Sequence, residues 1–110
     1  MANTFKNSIT GSIGTTGTTV YTAPSGSQVT VIGLNISNIT AQDNKVDVKV
    51  HDVSEGTDVF MIKEMFVQKE TLVAMVGGDQ KIVLESEDFL SVTSSLDNST
   101  DVIVSVLEIQ

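Results

Sequence analysis

The residues from Val29 to Asp52 limit this chain more than any other stretch. They read Val29-Thr-Val-Ile-Gly-Leu-Asn-Ile-Ser-Asn38, then a polar segment from Ile39 to Asn44, then Lys45-Val-Asp-Val-Lys-Val-His-Asp52. Ile32, Leu34 and Ile36 alternate with Gly33, Asn35 and Ser37, and Val46, Val48 and Val50 alternate with Asp47, Lys49 and His51. A period of two places one apolar row on the inner face of each strand. The intervening Asn, Thr and Asp residues bond to their own backbone and tolerate tight bends. The stretch predicts a β-hairpin forming one wall of a core.

The rest of the chain repeats this grammar. Thr18 to Ala23 predicts a strand with Val20 and Tyr21 on opposite faces, stopped by Pro24-Ser-Gly-Ser27. Further strands are predicted at Val59–Lys63, Thr71–Val76, Lys81–Glu85, Phe89–Thr93 and Asp101–Ile109. Turns fall at Ser54-Glu-Gly-Thr57, Gly77-Gly-Asp79, Glu85-Ser-Glu-Asp88 and Ser94–Thr100. Only Met61 to Gln68 passes for a helical turn. In Asp101–Ile109, Val102, Val104 and Val106 form one row and Ile103, Leu107 and Ile109 the other. Residues 1–19, rich in Gly, Ser and Thr with anchors at Phe5, Ile9 and Ile13, read as an N-terminal arm or edge strand that a neighbour would order. Residues 20–110 read as one domain. The expected fold is all-β, an antiparallel, jelly-roll-like β-sandwich of about eight or nine short strands.

Charge narrows the function. Fourteen acids face six lysines, no arginine is present, and the formal net charge is −8. A nucleic-acid binder needs a basic face, so that role is not expected. Cysteine is absent, which removes disulfides and thiolate zinc sites. No apolar run approaches a membrane span. The N-terminus lacks a charged segment followed by an apolar one, so a first appearance in a cytoplasm is expected.

Candidate chemistry is sparse. His51, the single histidine, stands beside Asp52, but no motif marks a nucleophile for it. Gly11-Ser-Ile-Gly-Thr-Thr-Gly17 lacks the Lys and the helix of a phosphate loop. Asp97-Asn-Ser-Thr-Asp101 offers oxygen ligands without the glycine and distant Glu of a calcium loop, and reads as an Asx-turn. Glu85, Glu87 and Asp88, like Asp43, Asp47 and Glu55, read as solvated carboxylates rather than a catalytic pair. Asn35, Asn38 and Asn98 each open a glycan sequon. A sugar-binding sandwich would need exposed aromatics, and the chain has no Trp, one Tyr and four Phe. No catalytic residue, cofactor or metal is expected.

A resemblance extends over nearly the whole chain. It rests on Val20-Tyr-Thr-Ala-Pro24, the strand Val31–Asn38, and Gly77-Gly-Asp-Gln-Lys-Ile-Val-Leu-Glu85. It continues through Asp88-Phe-Leu-Ser-Val92, Ser94-Ser95 and Asp101-Val-Ile-Val-Ser-Val-Leu-Glu-Ile109. In this order the chain resembles small virion structural proteins of tailed bacteriophages, especially those of marine cyanobacteria. The resemblance implies a non-enzymatic particle component present in many copies, assembled in the host cytoplasm and ending in the virion. A capsid decoration or cement protein is the leading expectation. A neck or tail protein is the alternative, and a sugar- or receptor-binding module the alternative from another class.

The strand patterns also predict self-association. Val59-Phe-Met-Ile62 and Val102-Ile-Val104 are apolar on both faces, and a core covers only one. With Phe60 and Ile62 on one row and Val59 and Met61 on the other, the expected contact comprises Val59, Met61, Met65 and Phe66, joined by Phe5 and Ile9. A homo-oligomer, favoured as a trimer, is the expectation, with capsid or other virion proteins as partners.

Overall fold

A computed structural model describes residues 3–76 and 81–109. Its nine strands are β1 (Asn3–Ile13), β2 (Thr18–Thr22), β3 (Gln28–Asn38), β4 (Asn44–Asp52), β5 (Thr57–Val67), β6 (Leu72–Val76), β7 (Ile82–Leu84), β8 (Phe89–Ser94) and β9 (Thr100–Ile109). No helix occurs among the described residues. The Gly77-Gly-Asp79 turn signal lies outside them.

The strands form two antiparallel sheets. One runs β1-β9-β3-β6, with β7 also paired to β3, and the other runs β2-β8-β4-β5. β6 and β7 occupy one position, since β6 pairs with β3 at Leu34–Ser37 and β7 continues the same edge at Val29–Val31. Two sheets of four positions in this order make a jelly roll.

The hairpin expected over Val29–Asp52 does not form. β3 and β4 lie in different sheets, so Ile39–Asp43 is an arch across the core. The hairpin between neighbouring strands is β4–β5, which turns at Gly56 with φ +67. Alternation states which side of a strand is apolar, not which strand it pairs with. The arch is set by Asn38, buried where β3 ends. Its amide donates to the Gln42 and Val67 carbonyls at 2.8 and 3.1 Å, and its oxygen accepts from the Thr40 amide and hydroxyl.

Val29, Val31, Leu34 and Ile36 of β3 and Val102, Val104 and Val106 of β9 fill the core from one sheet. Val20 and Tyr21 of β2, Val46 and Val48 of β4 and Leu90 and Val92 of β8 meet them from the other. Each such side chain stabilises the fold by about 1.5–3 kcal/mol on burial. The inward row of β9 matches the expected alternation. That of β3 is interrupted, because the pairing with β9 slips between Val31 and Gly33 and expels Ile32. A slip between Thr19 and Tyr21 of β2 likewise buries both Val20 and Tyr21, which strict alternation had placed on opposite faces.

β5 is bulged twice. Val48 pairs with Ile62 and Lys49 with Phe60, leaving Met61 as the extra residue. Glu64, at φ +55, falls in the second bulge. The segment read as a helical turn, Met61 to Gln68, is therefore mostly strand.

A loop after β8 locks the end of β1. Ile13 and Gly14 carbonyls accept from the Ser99 and Ser94 amides, and the Thr15 hydroxyl donates to Asp97. A Cβ at Gly14 would stand 3.3 Å from the Asp97 Cα, a backbone atom that has little room to yield. Gly14→Ala should cost about 1–2 kcal/mol as overpacking, read as a fall in thermal midpoint of about 4–8 °C. An unchanged midpoint would show that the loop gives way freely.

Candidate functional site

Each chemical candidate is taken up by the fold. His51 lies on the outer face of β4, its ring stacked on Phe89 at 4.6 Å between centroids. Its Nδ1 pairs with the Asp58 carboxylate on β5, not with its neighbour Asp52. Among the described residues no serine or threonine hydroxyl bonds to this pair, so the arrangement holds an imidazole without a nucleophile.

The carboxylates serve the backbone. Asp43, Asp47, Asp52, Asp88, Asp97 and Asp101 accept from the amides of Lys69, Glu64, Glu55, Val53, Thr15 and Ser12 respectively. Asp47 and Asp101 thus hold the two positive-φ bulge residues Glu64 and Ser12 on neighbouring edge strands. Asp88 also accepts from the Glu85 amide at 3.0 Å. The Ser54 hydroxyl first, and then the Glu55 amide, hold the Asp52 carboxyl below the usual carboxylate range. The bonds of Asp43, Asp47 and Asp88 were not legible in the sequence, where these acids looked solvated.

The calcium-like run is also pulled apart. Asp97 and Asp101 turn to Thr15 and Ser12, while Ser99 and Thr100 are buried against the Asn44 amide at 3.2 Å each. Among the described residues no three His, Cys, Asp or Glu side chains gather as a metal site. Of the sequons, Asn38 is buried with its whole amide engaged, so no glycan reaches it.

What distinguishes the surface is a contrast between the two sheet faces. The outer face of β8-β4-β5 is charged, with Lys45, Asp47, Lys49, His51 and Asp58 on it. Of its two exposed aromatics, Phe60 is covered by charge, since the Lys49 and Lys63 ammonium groups lie 5.0 and 4.9 Å from the centre of its ring, while Phe66 stands opposite Lys45 at the sheet edge.

The outer face of β1-β9-β3-β6/β7 is the opposite. Register sets Phe5 against Leu107 and Ile9 against Ile103. Leu107 in turn stands against Thr30, and Thr30 against Val83. Ile103 stands against Asn35, and Asn35 against Ala74. Two rows of side chains therefore cross the whole sheet. Phe5 and Ile9 are 74% and 75% exposed, and Ile103, Leu72 and Val83 are exposed as well. Asn7 and Ser105 sit between the rows and bond to each other at 2.9 Å. Among the described outward strand positions the charged side chain is Asp101, at one end, occupied by the Ser12 amide. An open hollow of about 300 Å³ borders this face, lined by Phe5, Lys6, Asn7, Ile32, Ser105 and Val106.

The residues expected at a subunit contact thus divide. Phe5 and Ile9 lie on the uncharged face. Val59 and Phe66, each 60% exposed, lie on β5 at the far edge of the other sheet. Met61 and Met65 pack partly against the core, Met65 opposite inward Val46, and the bulge at Met61 turns Ile62 to the same side, opposite Val48. Ile103, Leu107 and Val83 were missed as members of the site, although the double-sided apolar pattern of β9 signalled the first two.

No family model matches the sequence, and no curated protein matches it. Solved structures share its fold. A chain of the Bacillus endospore appendages, described as a novel family of disulfide-linked pili, superposes with a TM-score of 0.59 at 7% identity, covering 98% of this chain and 88% of that one. The fold is one that pili and virus particles also use. A chain from the Gx strain of infectious bursal disease virus gives 0.58 at 11% identity, and one from a VP2 subviral particle of that virus gives 0.53 at 10%. Both alignments cover 96% of this chain and 32% of the viral one, so it spans about a third of their length. The jelly-roll likeness extends to fold alone. The disulfide linkage has no counterpart here, since the chain has no cysteine.

Proposed function

We propose that this protein is a non-enzymatic structural component of a tailed-phage virion, and specifically a capsid decoration protein bound to the outer shell. The observation that carries the reading is the outer face of β1-β9-β3-β6/β7, free of charge but for Asp101 at one end, on a chain of net charge −8. Soluble monomers avoid contiguous exposed apolar patches, and those that persist mark contact surfaces. Two further observations support a structural role: six of the aspartates are spent on backbone amides, and the neighbours in fold are chains of pili and virus particles. The sugar-binding alternative is weakened because the single tyrosine is buried, with its hydroxyl given to Glu108.

Copy number in purified particles tests the reading. Quantitative mass spectrometry against the major shell protein should find about as many copies as a shell surface can seat, at least on the order of one hundred per particle, as self-repeating contacts imply. About a dozen copies would move the protein to the neck or tail. Its absence from particles that carry every other structural protein would overturn the virion assignment.

A further inference from the structure

We propose that the outer face of β1-β9-β3-β6/β7 is the contact between two copies of this chain, packed face to face about a two-fold axis. The inference deepens the structural reading above and rests on it for the premise that copies act together.

Three observations select a second copy as occupant. The first is charge. Copies of a chain with net charge −8 repel one another, and this is the broad face whose one described charge, Asp101, lies at an end and is held by the Ser12 amide. A basic partner would find its complement elsewhere, among the exposed carboxylates of the loops. The second is chemistry. In a two-fold contact each group meets the same set of groups, so the face must be its own complement. The polar residues among its apolar rows are Asn3, Asn7, Gln28, Thr30, Asn35, Ser37 and Ser105, with the Asp101 carboxylate at one end already held by the Ser12 amide. Amides and hydroxyls both donate and accept, so they pair with their own kind, which a carboxylate or an ammonium does not. The third is area. A face four strands wide and roughly ten residues long covers about 600 Å². Two copies then bury about 1,200 Å², at the lower end of specific interfaces. The β5 edge offers a smaller surface, because Met61 and Met65 turn toward the core and lysines cover Phe60.

The contact also predicts a salt response. Salt screens repulsion between the two acidic subunits and leaves the apolar contact intact, so association should strengthen as ionic strength rises. A contact held by opposite charges would weaken.

Sedimentation equilibrium and light scattering on the isolated chain decide the matter. The wild type should be dimeric at about 100 µM, dissociate on dilution, and bind at least about tenfold more tightly in high salt than in low. The double variant Phe5→Lys/Ile9→Lys should be monomeric throughout and, at a dilution where the wild type is also monomeric, should keep its thermal midpoint, since in the single chain both side chains are in water. Val59→Lys should leave the dimer intact. A wild type that stays monomeric at about 100 µM in high salt would overturn the proposal and leave the face to another virion protein. So would an oligomer that survives Phe5→Lys/Ile9→Lys, or a trimer that Val59→Lys dissociates, which would assign the contact to β5. These outcomes concern the isolated chain, so they are independent of the copy number that tests the virion reading.

Discussion

Asn38→Ala should lower the thermal midpoint by about 12–20 °C, the largest effect expected of any single polar substitution in this protein. Asn38 is buried where β3 leaves one sheet and the arch crosses to the other. Its side chain joins three segments at once: the Gln42 carbonyl, the Val67 carbonyl at the end of β5, and the Thr40 amide and hydroxyl. Alanine removes all four bonds. The groups of Thr40 and Gln42 lie close enough to solvent to find water, but the Val67 carbonyl is buried. Stranding one buried acceptor while losing the other bonds costs about 3–4 kcal/mol in sum. Asn38→Asp should be worse near neutral pH. It keeps both Thr40 bonds but sets a carboxylate with no proton to give against two carbonyl oxygens. Gln42→Ala, which alters an exposed side chain and spares the Gln42 carbonyl, should move the midpoint by less than about 2 °C. An Asn38→Ala protein as stable as Gln42→Ala would show that the arch holds its shape without this amide.

Tyr21→Phe should cost about 2–3 kcal/mol near neutral pH, because it strands one oxygen of a buried charged acceptor. Glu108 points inward from β9 and is 4% exposed, the Tyr21 hydroxyl donates to its Oε2 at 2.6 Å, and Lys6 reaches Oε1 at 3.4 Å from the sandwich edge. Lys6 is half in water, so screening leaves the phenol as the stronger partner. The same geometry governs the alkaline limb of stability. Burial first, then the hydrogen bond and negative charge of Glu108, push the Tyr21 phenol well above its ordinary range. A group that binds its proton more tightly when folded contributes fully below its unfolded pKa, about 10 for tyrosine. That contribution is lost as the pH climbs from there toward the raised folded value. The stability gap between wild type and Tyr21→Phe should therefore be constant from about pH 7 to 9 and narrow above about pH 10. Tyr21 is the only tyrosine, so phenolate absorbance reports it without interference. Phenolate forming near pH 10 in the folded protein, well before unfolding, would contradict this account.

The sequence by itself determined the class of fold and most of the inward rows. Val46 and Val48, and Val102, Val104 and Val106, stand inward as their alternation required, because a residue's side of a strand is a local property with a period of two. The turn at Gly56 was legible for a similar reason, since its positive φ suits glycine.

Pairing and bulges were decided only in three dimensions. The polar segment between β3 and β4 looks the same whether the chain turns back beside itself or crosses to the opposite sheet, and the bonds of Asn38 and the strands already flanking β3 select the crossing. The extra residues at Val20, Ile32 and Met61 exist only relative to a partner strand that has one residue fewer, so no reading of one strand alone reveals them. Each reverses the side on which the following residues fall, which is how Ile62, two places after outward Phe60, turned toward the core. The uncharged face belongs to the same class. Phe5, Val83 and Leu107 are far apart in the chain, and only strand order sets them in one row, with the charges gathered on the opposite sheet and in the loops.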